Sequence, residues 1–263
     1  KNLGQDVLAL GLVGGFVGET IEEKLQSQRI SIAFKHIDGL TRTNIILTEP
    51  NGRHTEVLEP GPTISESDID QFLASYERSL SGYEIVIIGG SVPPGVREDI
   101  YKDMIYLAKS KGLFTVLNAH GPAFIKALES MPDLVKPDVR LTPDVLGISS
   151  AKPQGRKQIA QRLFSMGISK VVIGCDDGSH SVYSEDISVE LTAANHKITN
   201  TVISGDAFLA GLIDALQRKR SLSEAALWAM AIEIALNQKP EKRWATPEEV
   251  SGFLSLAKLK EIS

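Results

Sequence analysis

The sequence predicts an α/β protein: a mainly parallel sheet covered by helices on both faces, with a smaller β-rich block set apart from it. Three observations carry this reading. Apolar strand-like runs alternate with amphipathic segments, the pattern that right-handed crossovers produce. Several of the amphipathic segments open on helix-entry signals. One block, from Ile30 to Glu59, breaks the rhythm with closely spaced β-rich runs and turn residues.

The elements follow in order. "VLALGLVG" from Val7 reads as the first core strand, and Glu19 to Gln28 as the helix after it. The block "ISIAFKHIDGLTRTNIILTEPNGRHTEVLE" carries turn chemistry at Asp38-Gly39 and Asn51-Gly52 that suits hairpins. Residues 30–59 are therefore expected to form a small sheet projecting from a core of residues 1–29 and 60–263. The edges of such a sheet invite cover from a second subunit, so a homodimer through it is expected. Ser65 then precedes an acidic first turn and opens a helix to Ser79, followed by the strand "YEIVIIGG" from Tyr83. A helix from Arg97 to Lys111, the strand "LFTVLNA" from Leu113, a helix from Lys157 to Met166 and the strand "KVVIGCD" from Lys170 continue the alternation. Three helices close the chain: Asp206 to Arg218, Ser221 to Leu236 and Pro247 to Leu259. Ser221 with Glu224, and Thr246 with Pro247 and Glu249, spell capping boxes.

With 263 residues, 42% hydrophobic and 23% charged, the chain can bury a large core. Its formal net charge of -5 argues against a broad basic surface for nucleic acid. No apolar run reaches the ~18–20 residues needed to span a membrane, and "KNLGQDVLALGLVGG" lacks the regions of a signal peptide. The single cysteine, Cys175, excludes an intrachain disulfide and points to a reducing, cytoplasmic setting. In "VVIGCDD" it reads as a strand-end thiol that packs as a small hydrophobe.

The chemistry concentrates in a few short stretches. In "NTVISGDAFLAGLIDAL" the apolar residues recur at helical spacing from Phe208, so a buried helix is expected to begin near Gly205. The unpaired N–H groups around Ser204 and Gly205 would then form an anion site with Asp206 beside it. The plainer alternative is that Asp206 only favours the helix dipole, by roughly 0.3–1 kcal/mol. "GGSVPPG" places Ser91 at the C-terminal end of a buried strand, where open α/β sheets bind ligands. Pro93 excludes a G-x-S-x-G nucleophile elbow, which leaves a substrate-binding hydroxyl or a turn-capping serine. Arg42, in "LTRTNI", suits planar recognition of phosphate or simply an exposed strand. The glycines of "GLVGGFVGE" have the wrong spacing for dinucleotide binding and suit close packing. The five histidines show no metal-ligand spacing, and no Walker loop is present.

Taken together, "TRTNI", "EPGPTIS", "GGSVPPGV", "VKPD" and "SGDAFLAG" resemble the ribokinase-like sugar kinases of the PfkB family. They are most similar to its 1-phosphofructokinase and tagatose-6-phosphate kinase branch. The resemblance implies a ribokinase-like three-layer α/β/α core with a small β-sheet lid that pairs two subunits. It implies ATP and Mg²⁺ as cofactors and a sugar phosphate as substrate, with fructose 1-phosphate foremost and tagatose 6-phosphate or fructose 6-phosphate as alternatives. It makes Asp206 the general base, Ser204 and Gly205 the anion hole, and Arg42, Ser91 and the neighbouring Asn44 the substrate contacts. The family's nucleotide loop reads "IGCDDG" here, ending at Gly178, and the nucleotide is implied to lie between the Gly205 helix and the helix ending near Asn237.

The sequence also departs from the family pattern. The chain starts after the family's sugar-binding acid and its G-G-K-G-x-N segment, which would add substrate contacts and a central strand. Asp138 stands at the asparagine position of the N-x-x-E magnesium motif, without the glutamate, and is the remaining candidate metal ligand. Ile203 replaces a glycine before Ser204, and Glu233 falls where small residues would favour an adenine pocket. These departures leave a catalytically impaired, ligand-binding homologue as the reading from another class.

Overall fold

The computed structural model describes residues 1–48, 54–139, 144–175, 177–194, 201–238 and 244–262. The first half of the chain runs β1 (Leu8–Val13), α1 (Gly15–Ser27), β2 (Ser31–His36), β3 (Ile45–Thr48), β4 (His54–Val57), α2 (Glu66–Ser79), β5 (Ile85–Gly90), α3 (Ile100–Ser110) and β6 (Phe114–Ala119). The second half continues α4 (Gly121–Ala127), β7 (Leu134–Val135), β8 (Asp144–Val145), β9 (Ile148–Ser149), α5 (Pro153–Ser165), β10 (Lys170–Gly174), β11 (His180–Tyr183), β12 (Ser188–Ala193), α6 (Thr201–Gln217), α7 (Leu222–Asn237), α8 (Pro247–Ser251) and β13 (Ala257–Glu261).

The main sheet has seven strands in the order β13-β12-β11-β10-β7-β6-β5. Adjacent residues on its strands point to opposite faces. Leu117, Val135 and Val171 pack against α2, α3, α4 and α5, whereas Val116, Leu134 and Val172 pack against α6 and α7. Both faces are buried, as parallel strands joined by helical crossovers require. The result is the expected three-layer α/β/α core.

Its pairing is mixed, a correction to the mainly parallel sheet the sequence suggested. β5, β6, β7 and β10 run parallel to one another, whereas the pairings of β10 with β11, β11 with β12 and β12 with β13 are antiparallel. The short connections before β11 and β12 allow hairpins, and a helical crossover is needed only for parallel neighbours.

Three local differences matter for the site. The run from Val7 is not a strand of the main sheet: β1 pairs in parallel with β2 in a sheet of its own. Block 30–59 is therefore divided. Its first run belongs beside β1, and only β3 and β4 form an antiparallel hairpin. Gly39 takes a left-handed turn at φ +99°, yet it leads from β2 to a strand that does not pair with it. The Asn51-Gly52 turn lies outside the described residues. The last helix is short as well. Helix α8 stops at Ser251 and the chain turns back as β13, because Ala257 to Glu261 complete the edge beside β12.

The helix-entry signals are met in detail. Ser65 Oγ accepts from Asp68 N at the start of α2, and both bonds of the capping box form at Ser221 with Glu224 and at Thr246 with Glu249.

Candidate active site

The C-terminal ends of β5, β6 and β7 lie side by side and bring polar groups to one edge of the sheet. Gly89 of β5 is in register with Asn118 of β6, Lys136 N donates to Leu117 O, and Asp138 N donates to Ala119 O. Asn118 thus projects from the end of an apolar strand with Ser91 two residues beyond its sheet neighbour on one side and Lys136 just past β7 on the other.

Asn118 links two charges. Its Nδ2 donates to Asp206 Oδ1 at 3.2 Å, and its Oδ1 accepts from Lys136 Nζ at 3.4 Å. The Asp206 carboxylate is exposed on α6, while Lys136 is only 9% exposed. A nearly buried ammonium is retained only with polar or anionic company, and Asn118 supplies part of it. Gly205 leaves the space: a Cβ there would stand 3.3 Å from Lys136 Nζ. The sequence reading singled out Gly205 for its backbone, whereas the structure uses its missing side chain. Neither Asn118 nor Lys136 was singled out from the sequence. The signals present were a polar residue closing the run "FTVLNA" and the lysine inside the quoted "VKPD".

The expected anion site takes a different form. Helix α6 starts at Thr201, so Ser204, Gly205 and Asp206 lie beyond its first three residues, and their N–H groups belong to the helix's own ladder. In a helix that begins at Thr201 the first-turn donors are those of residues 201–203. Ser204 accounts for the earlier start: it is fully buried, and its Oγ accepts from Asn237 Nδ2 at 2.6 Å, tying α6 to α7. Asn237 also donates to Glu233 O, so these two sequence-predicted residues meet each other as a link between helices. The side chain of Ile203 lies outside the described residues.

On the hairpin side, Arg42 Nη2 donates to Ser91 Oγ at 2.6 Å. This pairing across 49 positions joins two of the three expected substrate contacts. Asn44 is placed differently: its Oδ1 accepts from Glu59 N at 3.3 Å, and Glu59 in turn accepts from Thr43 N. Asn44 therefore fastens the base of the hairpin. Tyr101 holds the end of β5 by donating to Gly89 O and Gly90 O at 3.0 and 3.3 Å, and burial pushes its phenol up to about 12.

Lys136, Asp138, Gly178 and Gly205 line a small cavity of about 30 Å³ with His180 and Glu233. Gly178 adopts φ +80° in a turn whose N–H returns to Cys175 O. Such a space holds about one water and no purine ring. Glu233 closes its floor: it is 2% exposed, and its Oε2 lies 2.7 Å from His180 Nε2. The His180 ring stacks on Phe208 at 3.8 Å. Burial raises the Cys175 thiol, keeping it protonated, in accord with a packing role.

The residues present meet the needs of a phosphate group and its cation only at one end. A buried ammonium and a side-chain-free helix turn suit phosphate oxygens. Asp138, half-buried on the cavity rim, suits a magnesium ion that keeps most of its ligands from water and phosphate. Among the described residues, no group of three or more His, Cys, Asp or Glu side chains forms a metal site.

A mixed sheet between two helical layers, carrying a carboxylate, a buried ammonium and an Arg-Ser pair at its strand ends, defines an α/β protein that binds ligands at the carboxyl edge of its sheet. The chain belongs to the pfkB family of carbohydrate kinases, whose profile matches residues 1–235. It is 31% identical over 222 residues to the 1-phosphofructokinase of Bacillus subtilis strain 168, covering 82% of this chain and 71% of the relative. It is 29% identical over 229 residues to a tagatose-6-phosphate kinase of Staphylococcus epidermidis, covering 85% of this chain and 73% of that one. The crystal structure of a possible 1-phosphofructokinase from Thermotoga maritima superposes with a TM-score of 0.91 at 26% identity, covering all of this chain and 84% of its own. The fold is thus the ribokinase-like one that the motifs implied. No helix among the described residues is long and apolar enough to cross a membrane.

Proposed function

We propose that the protein is an ATP-dependent sugar-phosphate kinase whose substrate is fructose 1-phosphate. The observation that carries the reading is the Asp206 carboxylate held by Asn118 beside the buried Lys136 ammonium, at the strand edge that also presents Arg42 and Ser91. Arg42 binds the substrate's existing phosphate, and Ser91, already bonded to Arg42, orients it. Asp206 accepts the proton of the acceptor hydroxyl while that oxygen attacks the terminal phosphoryl group of ATP, and ADP departs. Lys136 faces the charge spread over the transferred oxygens, in keeping with a reaction that needs mainly positioning and electrostatic stabilisation. A magnesium ion held by Asp138 would neutralise phosphate charge. The nucleotide lies over the small cavity near Gly178 and not within it.

The 1-phosphofructokinase likeness favours fructose 1-phosphate, and the Staphylococcus likeness favours tagatose 6-phosphate as the second reading. ADP release with Mg-ATP and fructose 1-phosphate, tagatose 6-phosphate or fructose 6-phosphate in turn separates them. Turnover with one sugar, lowered at least about a hundredfold by Asp206→Asn, supports the kinase reading and names its substrate. Thermal stabilisation by a sugar phosphate without turnover points instead to the ligand-binding homologue, which the engaged N–H groups of Gly205 and Asp206 favour.

A further inference from the structure

Strand β11 enters the core with polar residues: Ser179, His180 and Ser181 stand in a row, and all three are buried. Adjacent side chains on a strand point to opposite faces. Ser181 shares the face of Tyr183, which packs against α5, and His180 shares the face of Val182, which packs against α6 and α7. Buried polar groups cost stability unless they are bonded, and well-packed apolar residues serve a core at least as well. Stability alone therefore gives no reason for the polar run.

On the α5 face the partner is Arg156, whose residue is only 6% exposed. Its Nε donates to Ser181 Oγ at 2.9 Å, Nη1 to Ser150 O at 3.3 Å and Nη2 to Glu190 Oε1 at 3.2 Å. Ser181 and Glu190 are opposite each other on β11 and β12, so one planar group fastens two strands and the residue after β9. A lysine, with a single point of donation, could not span the three. On the other face His180 meets Glu233 and stacks on Phe208. Strand β11 is thus gripped from both sides just after the turn that joins it to β10.

That turn is closed by its own bonds. Cys175 N donates to Ser179 O at 2.8 Å, Gly178 N to Cys175 O at 3.0 Å, and Ser179 N and Oγ to Asp177 Oδ1 at 2.9 and 2.6 Å. Gly174, Cys175 and Gly178 face Lys136 and Gly205 across the small cavity. A turn already rigid before a ligand arrives costs no ordering entropy on binding.

We infer that Arg156 is a positioning residue: acting through Ser181, against the His180–Glu233 brace on the opposite face, it fixes the β10–β11 turn in the geometry that receives the nucleotide. The identity of that ligand rests on the kinase reading. Arg156 itself stands away from the strand-end site, on α5.

The test is calorimetric titration of Mg-ATP, and separately of fructose 1-phosphate, onto the full chain, with hydrogen exchange at the amides of Cys175, Gly178 and Ser179. Arg156→Lys keeps the charge and loses the three-way bond, whereas Ser181→Ala removes one bond and no charge. The first is expected to weaken Mg-ATP at least about tenfold and the second at least about threefold. Both should speed exchange at the three amides and leave the sugar phosphate within about twofold of its original affinity. Thr115→Val is the control. Thr115 is equally buried and donates to Asp133 Oδ2 at 2.8 Å, but at the opposite end of the sheet. Its loss should lower the thermal midpoint and alter neither affinity. Equal weakening of both ligands, faster exchange with unchanged Mg-ATP affinity, or an effect matched by Thr115→Val overturns the inference. Mg-ATP binding without phosphoryl transfer, still weakened by Arg156→Lys, overturns the kinase reading and upholds the positioning role. Transfer that neither variant affects does the reverse, and a wild-type chain that binds no Mg-ATP overturns both.

Discussion

Asp206 stands exposed on α6 with one carboxylate oxygen engaged by Asn118. Replacing that neighbour is a sharper test of the site than replacing the acid alone. Asn118→Ala should lower kcat by about tenfold or more, the cost of a hydrogen bond to a charged group, with little change in the sugar's KM. Arg42→Ala should do the reverse and act mainly on KM, measured by initial rates over a range of sugar phosphate. Tyr101 gives a test independent of activity. Burial favours its protonated form, so its contribution to stability is complete below the ordinary value of 10.0 and is lost as pH rises through about 12. Tyr101→Phe should flatten the pH dependence of denaturant unfolding in that window. At this scale the sequence was legible where a residue type and a motif coincide, as at Arg42 and Ser91. It was silent where a residue matters through strand register. Nothing in "FTVLNA" says that Asn118 will sit beside Gly89, because that neighbour comes from a different strand.

The helix starts show which local signals suffice. Ser221 and Thr246 announce their helices through bonds made within four residues, and the structure forms both boxes. Ser221→Ala should cost about 1 kcal/mol in equilibrium unfolding, because α7 loses a cap and no core contact. Helix α6 behaves differently. Its β-branched lead-in and Ser-Gly pair look like the approach to a helix, yet Ser204 is drawn inside by Asn237, 33 residues away. Asn237→Ala should therefore loosen the first turn of α6, read as faster exchange at residues 204–206, while leaving α7 intact. The end of the chain follows the same rule. "AKLKE" has the alternation of a strand, but only its partner β12 decides against continuing α8.

At the scale of the whole molecule, the β3–β4 hairpin carries an exposed apolar group, with Ile45, Ile46, Leu47 and Val57 all open to solvent. Ile45, Leu47 and Val57 share one face of the hairpin, and an exposed apolar face of this kind marks an association surface. The homodimer proposed from the sequence should appear in sedimentation equilibrium, and Leu47→Glu should leave monomers that retain their secondary structure. The three-layer architecture was legible because it rests on alternation along the chain. The division of β1 from the main sheet was not, since an apolar run does not name the strand it will lie against. The two ends of the main sheet are protected in different ways. At one end β13 displays Lys258, Lys260 and Glu261 to solvent, and at the other β5 is recessed behind β1 under two helices. Fibril growth by stacking sheet upon sheet requires a bare, accessible strand at both ends of each unit. With one end charged and the other withdrawn, neither end of the main sheet offers a bare strand on which such a filament could elongate.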